Sequence, residues 1–256
     1  MENKTIIVWT FESNNDAEVV QHIAEKIIKF YGKEKEGIEV QSYGREEYRA
    51  VSKSNNSENV LKRQIKNYLK VSQCLIIIVD YDGNESNALR KRQLNSYITK
   101  ANNIVLDPEF KDKVFLVIVK NEIEAWLLVD CLGIFCYYVV KKDDDKKICR
   151  DTSLTKPKIK KLIKDFQKGN TALIVEPVMG GKGAKEYLEK FTKDILQTLN
   201  PKLSQKQIDQ HKDKYTENMS PKIAPFIEIN DKTLGRNQSL SDFKDIILSH
   251  SCLQPT

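Results

Sequence analysis

Two short stretches of the chain are apolar at every position, Cys74-Leu-Ile-Ile-Ile-Val79 and Val114-Phe-Leu-Val-Ile-Val119. Continuous runs of this length, bounded by turn residues such as Asp80-Tyr81-Asp82-Gly83, predict strands buried on both faces. Thr5 to Phe11 is a β-branched and aromatic run that predicts another strand, and Gly37 to Tyr43 alternates as a half-buried one. Between these runs the period changes. Val19, Val20, Ile23, Ile27 and Ile28 recur at helical spacing within residues 16–30, and residues 60–69 carry a second helical stripe after a polar loop at 52–57. A helix rich in Arg and Lys is expected over about 85–100, and Glu124-Ala-Trp-Leu-Leu-Val129 starts a further one. Strands and helices alternating over residues 4–132 predict an α/β fold, a parallel sheet with helices on both faces.

Beyond residue 140 the pattern becomes Lys-rich and mostly helical, with 141–147 a mixed charge run and helices expected over 158–167, 183–199, 204–215 and 239–250. Residues 171–175 are a candidate extra strand. The expected organisation is therefore an α/β domain over 1–140 followed by a mainly helical extension over 141–256. Trp9 and Trp126 fall in apolar stretches and are expected in the core, as are Phe135, Tyr137 and Tyr138 rather than as base-stacking residues.

Composition narrows the classes. With 256 residues, 40% hydrophobic, the chain can bury a substantial core, and whole-chain disorder is excluded. No apolar run approaches the roughly 18 residues of a membrane span, and the polar start Met1-Glu-Asn-Lys4 lacks the apolar core of a signal peptide. A soluble cytoplasmic protein with no membrane partner is expected. The five cysteines are odd in number and none is spaced as CxxC, so neither a disulfide framework nor a zinc site is expected, and Cys74 and Cys131 read as buried free thiols. His22, His211 and His250 are scattered, without partners at ligand spacing. The formal charge of +6 allows an anionic partner without establishing one.

Candidate chemistry lies where the strands end. In open α/β sheets, ligands gather outside the carboxyl ends of the strands. The first strand is followed by Glu12 and, one helical turn on, Asp16; the third by Asp80 and Asp82; the fourth by Glu122 and Glu124. Carboxylates crowded together oppose folding unless a cation neutralises them, so such a cluster suits a hard divalent ion, Mg²⁺ or Mn²⁺, with two ions for phosphoryl transfer. Taken singly, Asp-x-Asp-Gly is also a common turn, and Glu12, Glu122 and Glu124 could each open a helix. Their joint occurrence at three strand ends favours the metal site.

These motifs resemble the toprim domain, the catalytic fold of topoisomerases, primases and OLD-family nucleases. Thr5 through Glu12 to Asp16 looks like the family's first motif and Leu75 through Asp80 and Asp82 like its second, so the resemblance implies metal-binding and acid/base roles for Glu12, Asp80 and Asp82. The OLD-like branch adds Asp16 and the acidic motif Glu122-Ile-Glu124 as further ligands. The Glu124-Ala-Trp-Leu-Leu stretch and Met219-Ser-Pro-Lys-Ile-Ala-Pro-Phe226 also resemble an uncharacterised toprim-like family that accompanies ABC-type ATPases in bacterial defence loci. That implies a nuclease with an ATPase partner and an anti-phage role. Where toprim proteins have Glu-Gly this chain has Glu12-Ser13, so the tight turn must be made differently. OLD-type sites also use a distal Lys; Lys182 is the candidate, because its flanking glycines let backbone amides and the ammonium approach a phosphate. The Gly180-Gly-Lys-Gly183 run is not a Walker A loop.

Arg90, Lys91 and Arg92, and Lys158 and Lys161 among neighbouring lysines, are candidate nucleic-acid contacts. The expectation is a Mg²⁺- or Mn²⁺-dependent endonuclease acting on DNA or RNA. Two alternatives stay open: a non-catalytic toprim-like subunit that binds nucleic acid or regulates an ATPase, and a phosphoryl-transfer enzyme acting on small phosphoesters. A homo-oligomer is also allowed.

Overall fold

Four parallel strands form one sheet in the order β2-β1-β3-β4 in a computed structural model of the chain, which describes residues 4–52, 57–81, 97–120, 122–140, 146–171 and 183–253. The strands are β1 (Lys4–Thr10), β2 (Ile38–Tyr43), β3 (Cys74–Tyr81) and β4 (Val114–Lys120). Helix α1 (Asn14–Phe30) connects β1 to β2; α2 (Arg45–Ser52) and α3 (Ser57–Leu69) lie between β2 and β3; α4 (Tyr97–Val105) precedes β4. The α/β fold with a helical C-terminal part is thus as expected.

The pleat sorts the side chains onto two faces. Ile7, Trp9, Phe11, Leu75, Ile77 and Val79 pack with Tyr48 of α2, Leu61, Ile65 and Tyr68 of α3, and Ile98, Ala101 and Ile104 of α4. The alternate residues Ile6, Val8, Ile76 and Ile78 are also buried, on the face covered by α1 and by the C-terminal helix α13 (Gln238–Ile247). This two-sided burial explains why β3 is apolar at every position from Cys74 to Val79. β4 is an edge strand, and Phe115, Leu116 and Ile118 are only half-buried, where the sequence predicts burial on both sides.

Connectivity creates the crevice. From β1 the chain moves outward to β2, then crosses back over β1 to reach β3, with the connecting helices on opposite faces as right-handed crossovers require. The direction of winding therefore reverses between β1 and β3.

Two compact units emerge, one of residues 1–120 with 238–256 and the other of residues 121–237. The composition changes at residue 140, but the packing divides earlier, because Ala125–Val129 and Ile134–Cys136 are buried in a second core of their own. That unit holds α5 (Glu124–Leu127), α6 (Cys131–Val139), α7 (Lys146–Ser153), α8 (Pro157–Phe166), α9 (Ala184–Leu199), α10 (Gln205–Asp209), α11 (Ser220–Ile223) and α12 (Asp231–Leu234). Asp130 organises part of it: the buried carboxylate caps α6 at Gly133 N (3.2 Å), and accepts from Arg150 Nη1 and Glu228 N, both at 2.8 Å. Gly133 is required there, since a Cβ would lie 2.4 Å from Phe226 O.

Other expectations need correction. The helix predicted over 204–215 contracts to α10, because after Ile208 no apolar residue follows until Tyr215. Two disulfides occur where none is expected: Cys74–Cys252 joins the start of β3 to α14 (His250–Leu253), and Cys136–Cys149 joins α6 to α7. Sequence spacing conceals them because the pairs are brought together by the C-terminal return to the sheet and by helix packing. Cys131 remains a buried thiol, pushed well above the usual thiol range by burial. Among the described residues no helix is long and apolar enough to cross a membrane. All of the expected strand at 171–175 except Thr171, and most of the helix at 85–100, lie outside the described residues.

Candidate metal site at the sheet's carboxyl edge

Two central acids lie near the carboxyl ends of adjacent strands. The β1–β3 ladder ends at Thr10 paired with Ile78, Glu12 follows β1 by two residues, and Asp80 is still within β3, paired with Val119 of β4. Neighbouring strands run about 4.8 Å apart, and residues in register on parallel strands share a face. Glu12 and Asp80 therefore both lie at the carboxyl edge of neighbouring strands, where the winding reverses. This is where open α/β sheets bind ligands.

Local sequence holds Glu12 in place. Phe11 stacks on Tyr48 at 4.4 Å between centroids and meets Trp9 edge-on at 5.0 Å, while Trp9 Nε1 donates to Gly44 O at 3.2 Å. This aromatic layer anchors the chain on one side of Glu12. On the other, Ser13 caps α1: its hydroxyl accepts from Asn15 N at 3.1 Å and Asp16 N at 3.4 Å, and Thr10 Oγ1 donates to Ser13 O at 2.7 Å. Ser13 adopts an extended backbone, φ −146° and ψ 146°, so the Glu12-Ser13 turn needs no glycine. The adjoining loop packs closely, since a Cβ on Gly44 would lie 2.3 Å from Asn14 Oδ1. Glu12 and Asp80 are half-buried, with Glu12 Oε1 screened from solvent. Asp16 sits in the first turn of α1, where the helix dipole favours a carboxylate.

Glu122 and Glu124 belong to the second unit and have positions of their own. Glu122 Oε2 accepts from Lys185 N at 3.1 Å, at the amino end of α9, and its backbone is left-handed at φ +69°. Glu186 completes that helix start by accepting from Gly183 N at 2.9 Å. Glu124 is buried and accepts from the Tyr215 hydroxyl at 2.6 Å, which also contacts Ser220 Oγ at 2.6 Å. Burial pushes its carboxyl above the usual range, partly offset by the Tyr215 hydrogen bond. The Lys185 ammonium pairs with Glu217, which holds it above the usual lysine range. Tyr215 and Asp130 are the residues that sequence reading missed.

Asp82, Lys182, Arg90, Lys91 and Arg92 lie outside the described residues, while Lys158 and Lys161 are exposed on α8. The donors at the carboxyl edge fit a hard divalent ion, since Glu12 and Asp80 offer carboxylate oxygens alone. Among the described residues, which include Glu12, Asp16, Asp80, Glu122 and Glu124 of the six expected ligands but not Asp82, no group of three or more His, Cys, Asp or Glu gathers closely enough to hold a metal.

Compared with known proteins, the chain matches no family model, no curated protein and no solved structure. Fold and geometry carry the functional reading.

Proposed function

We propose that the chain is a metal-dependent nuclease acting on DNA or RNA phosphodiesters. The observation that supports this most is that Glu12 and Asp80 come from the carboxyl ends of neighbouring strands β1 and β3, at the winding reversal of the sheet. In this reading Glu12, Asp80 and Asp82 hold Mg²⁺ or Mn²⁺, with Asp16 beside them on α1. When bound, such an ion offsets phosphate charge and lowers the pKa of water. Glu12, with one oxygen turned from solvent and its backbone fixed by Phe11 and Ser13, is placed to hold a proton or an ion in a defined position. An ABC-type ATPase partner and a role in anti-phage defence follow from the toprim and OLD-like resemblance alone.

A second reading, a non-catalytic nucleic-acid-binding or ATPase-regulating subunit, draws on Glu122 and Glu124. Both acids serve the second unit, one capping α9 and the other bound to Tyr215.

The test is incubation of the purified chain with plasmid DNA and with total tRNA, with and without Mg²⁺ or Mn²⁺, beside the Asp80→Ala/Asp82→Ala variant. The expected outcome is metal-dependent cutting that falls by about a thousandfold or more in the variant. Cutting that persists in the variant would remove the site from the chemistry. No cutting of either polymer, even with an ATPase partner present, would favour the second reading.

A further inference from the structure

Helix α8 sorts its residues sharply. Ile159, Ile163 and Phe166 are buried in the second unit, while Lys160, Lys161 and Lys164 point outward within one arc of the helix; Lys158 stands on the flank toward Asp165. On neighbouring α9 the lysines are spent on ion pairs, Lys193 with both Glu189 and Asp209 and Lys185 with Glu217. On α8 they are not: among the described residues Lys160, Lys161 and Lys164, and Lys168 just beyond the helix, have no carboxylate oxygen within 4.0 Å.

Two further lysines lie over aromatic rings near the carboxyl end of α8. Lys168 Nζ lies 5.6 Å from the Tyr187 ring centroid and Lys190 Nζ 4.8 Å from that of Phe166, so two ammonium groups are seated on aromatic rings there. Tyr187 in turn donates to Phe166 O at 2.9 Å. Of these five lysines only Lys190 has a nearby acid, Asp194 at 3.8 Å.

We propose that this face of α8 docks the sugar–phosphate backbone of duplex nucleic acid, without reading bases. Phosphate is the ligand that ammonium groups without a carboxylate partner on one helical arc fit, and a duplex presents one negative charge about every 1.7 Å along its axis. A single strand would need open aromatic faces for stacking, but here Phe166 is buried and both rings lie under ammonium groups. The docking surface rests on the reading of the chain as acting on nucleic acid, and it deepens that reading by naming where the polymer is held.

Binding is measured in EDTA, so that no cleavage intervenes, by fluorescence polarisation with short labelled duplexes of two unrelated sequences over a salt series. The variant is Lys160→Glu/Lys161→Glu/Lys164→Glu, and Lys202→Glu/Lys206→Glu/Lys212→Glu makes the same charge change at exposed positions elsewhere in the unit. The α8 variant should weaken binding by about tenfold or more for both sequences and reduce the salt slope by about 3, whereas the control stays within about threefold. The milder glutamine triple at the α8 positions should move in the same direction, and unchanged thermal midpoints establish that all variants fold.

Equal weakening by both Glu triples, unchanged binding in the α8 variants, no duplex binding by the wild type, or preference for single strands overturns the docking surface. A chain that binds duplex through α8 but never cleaves it sinks only the nuclease reading. One that cleaves but binds independently of α8 sinks only the docking surface.

Discussion

Glu124 carries its carboxyl group into the interior of the second unit, where the Tyr215 hydroxyl is its hydrogen-bond donor. Burial raises its folded-state pKa above the ordinary 4.5, so the folded protein holds this proton more tightly than the unfolded chain. The stabilisation linked to the proton is fully present below pH 4.5 and is lost as the pH rises through the folded value. Glu124→Gln removes the titration. The wild-type thermal midpoint, taken relative to this variant, should therefore be higher at pH 5 than at pH 8; an equal difference at both would show that Glu124 does not titrate between them. The acid itself was legible in the sequence as one of the two that follow the fourth strand's apolar run. Its partner was not, because Tyr215 lies 91 positions away and only the folding of the second unit brings the two together.

At the scale of elements, β1 and β3 were legible because strands inside a covered parallel sheet carry apolar residues on both faces, and Glu12 and Asp80 were legible because they come where the apolar runs of those strands end. Edge strand β4 was read as more buried than it is, since an apolar run does not reveal how many neighbours its strand has. The short α2 has almost no apolar stripe to betray it. The amino end of α9 is an element whose start is supplied from elsewhere: Glu122 provides an acceptor that Gly183 cannot, at the cost of a left-handed backbone. Glu122→Ala loses the acceptor and keeps the strain, for an expected loss of about 1–2 kcal/mol. Glu122→Gly loses the acceptor but relieves about 1 kcal/mol of strain, and should be the more stable of the two in urea unfolding. The reverse order would mean that Glu122 does not sit in the left-handed region in solution.

At the scale of the molecule, the first unit is built from both ends of the chain, with the second unit inserted between β4 and α13. The C-terminal segment is fastened by the Cys74–Cys252 disulfide and by Lys4 Nζ, which donates to Leu253 O. In the chain-entropy picture a crosslink over 178 residues stabilises by up to about 5 kcal/mol, more than the about 3 kcal/mol for the 13-residue separation of Cys136 and Cys149. Reductant should therefore lower the thermal midpoint of the wild type, and Cys252→Ser should reproduce most of that drop without reductant. A midpoint indifferent to both would mean that the C-terminal return is held by packing alone. The sequence could not reveal this fastening, because an odd cysteine count fits any pairing that leaves one thiol over.

The Cys74–Cys252 bond makes the backbone from one cysteine to the other a closed covalent ring that encloses the whole inserted unit. A protease that cuts once anywhere between residues 75 and 251 would open the ring without releasing a fragment. Such a nicked molecule would keep its full mass on a non-reducing gel and divide into two bands only when the sulfur bridges were reduced.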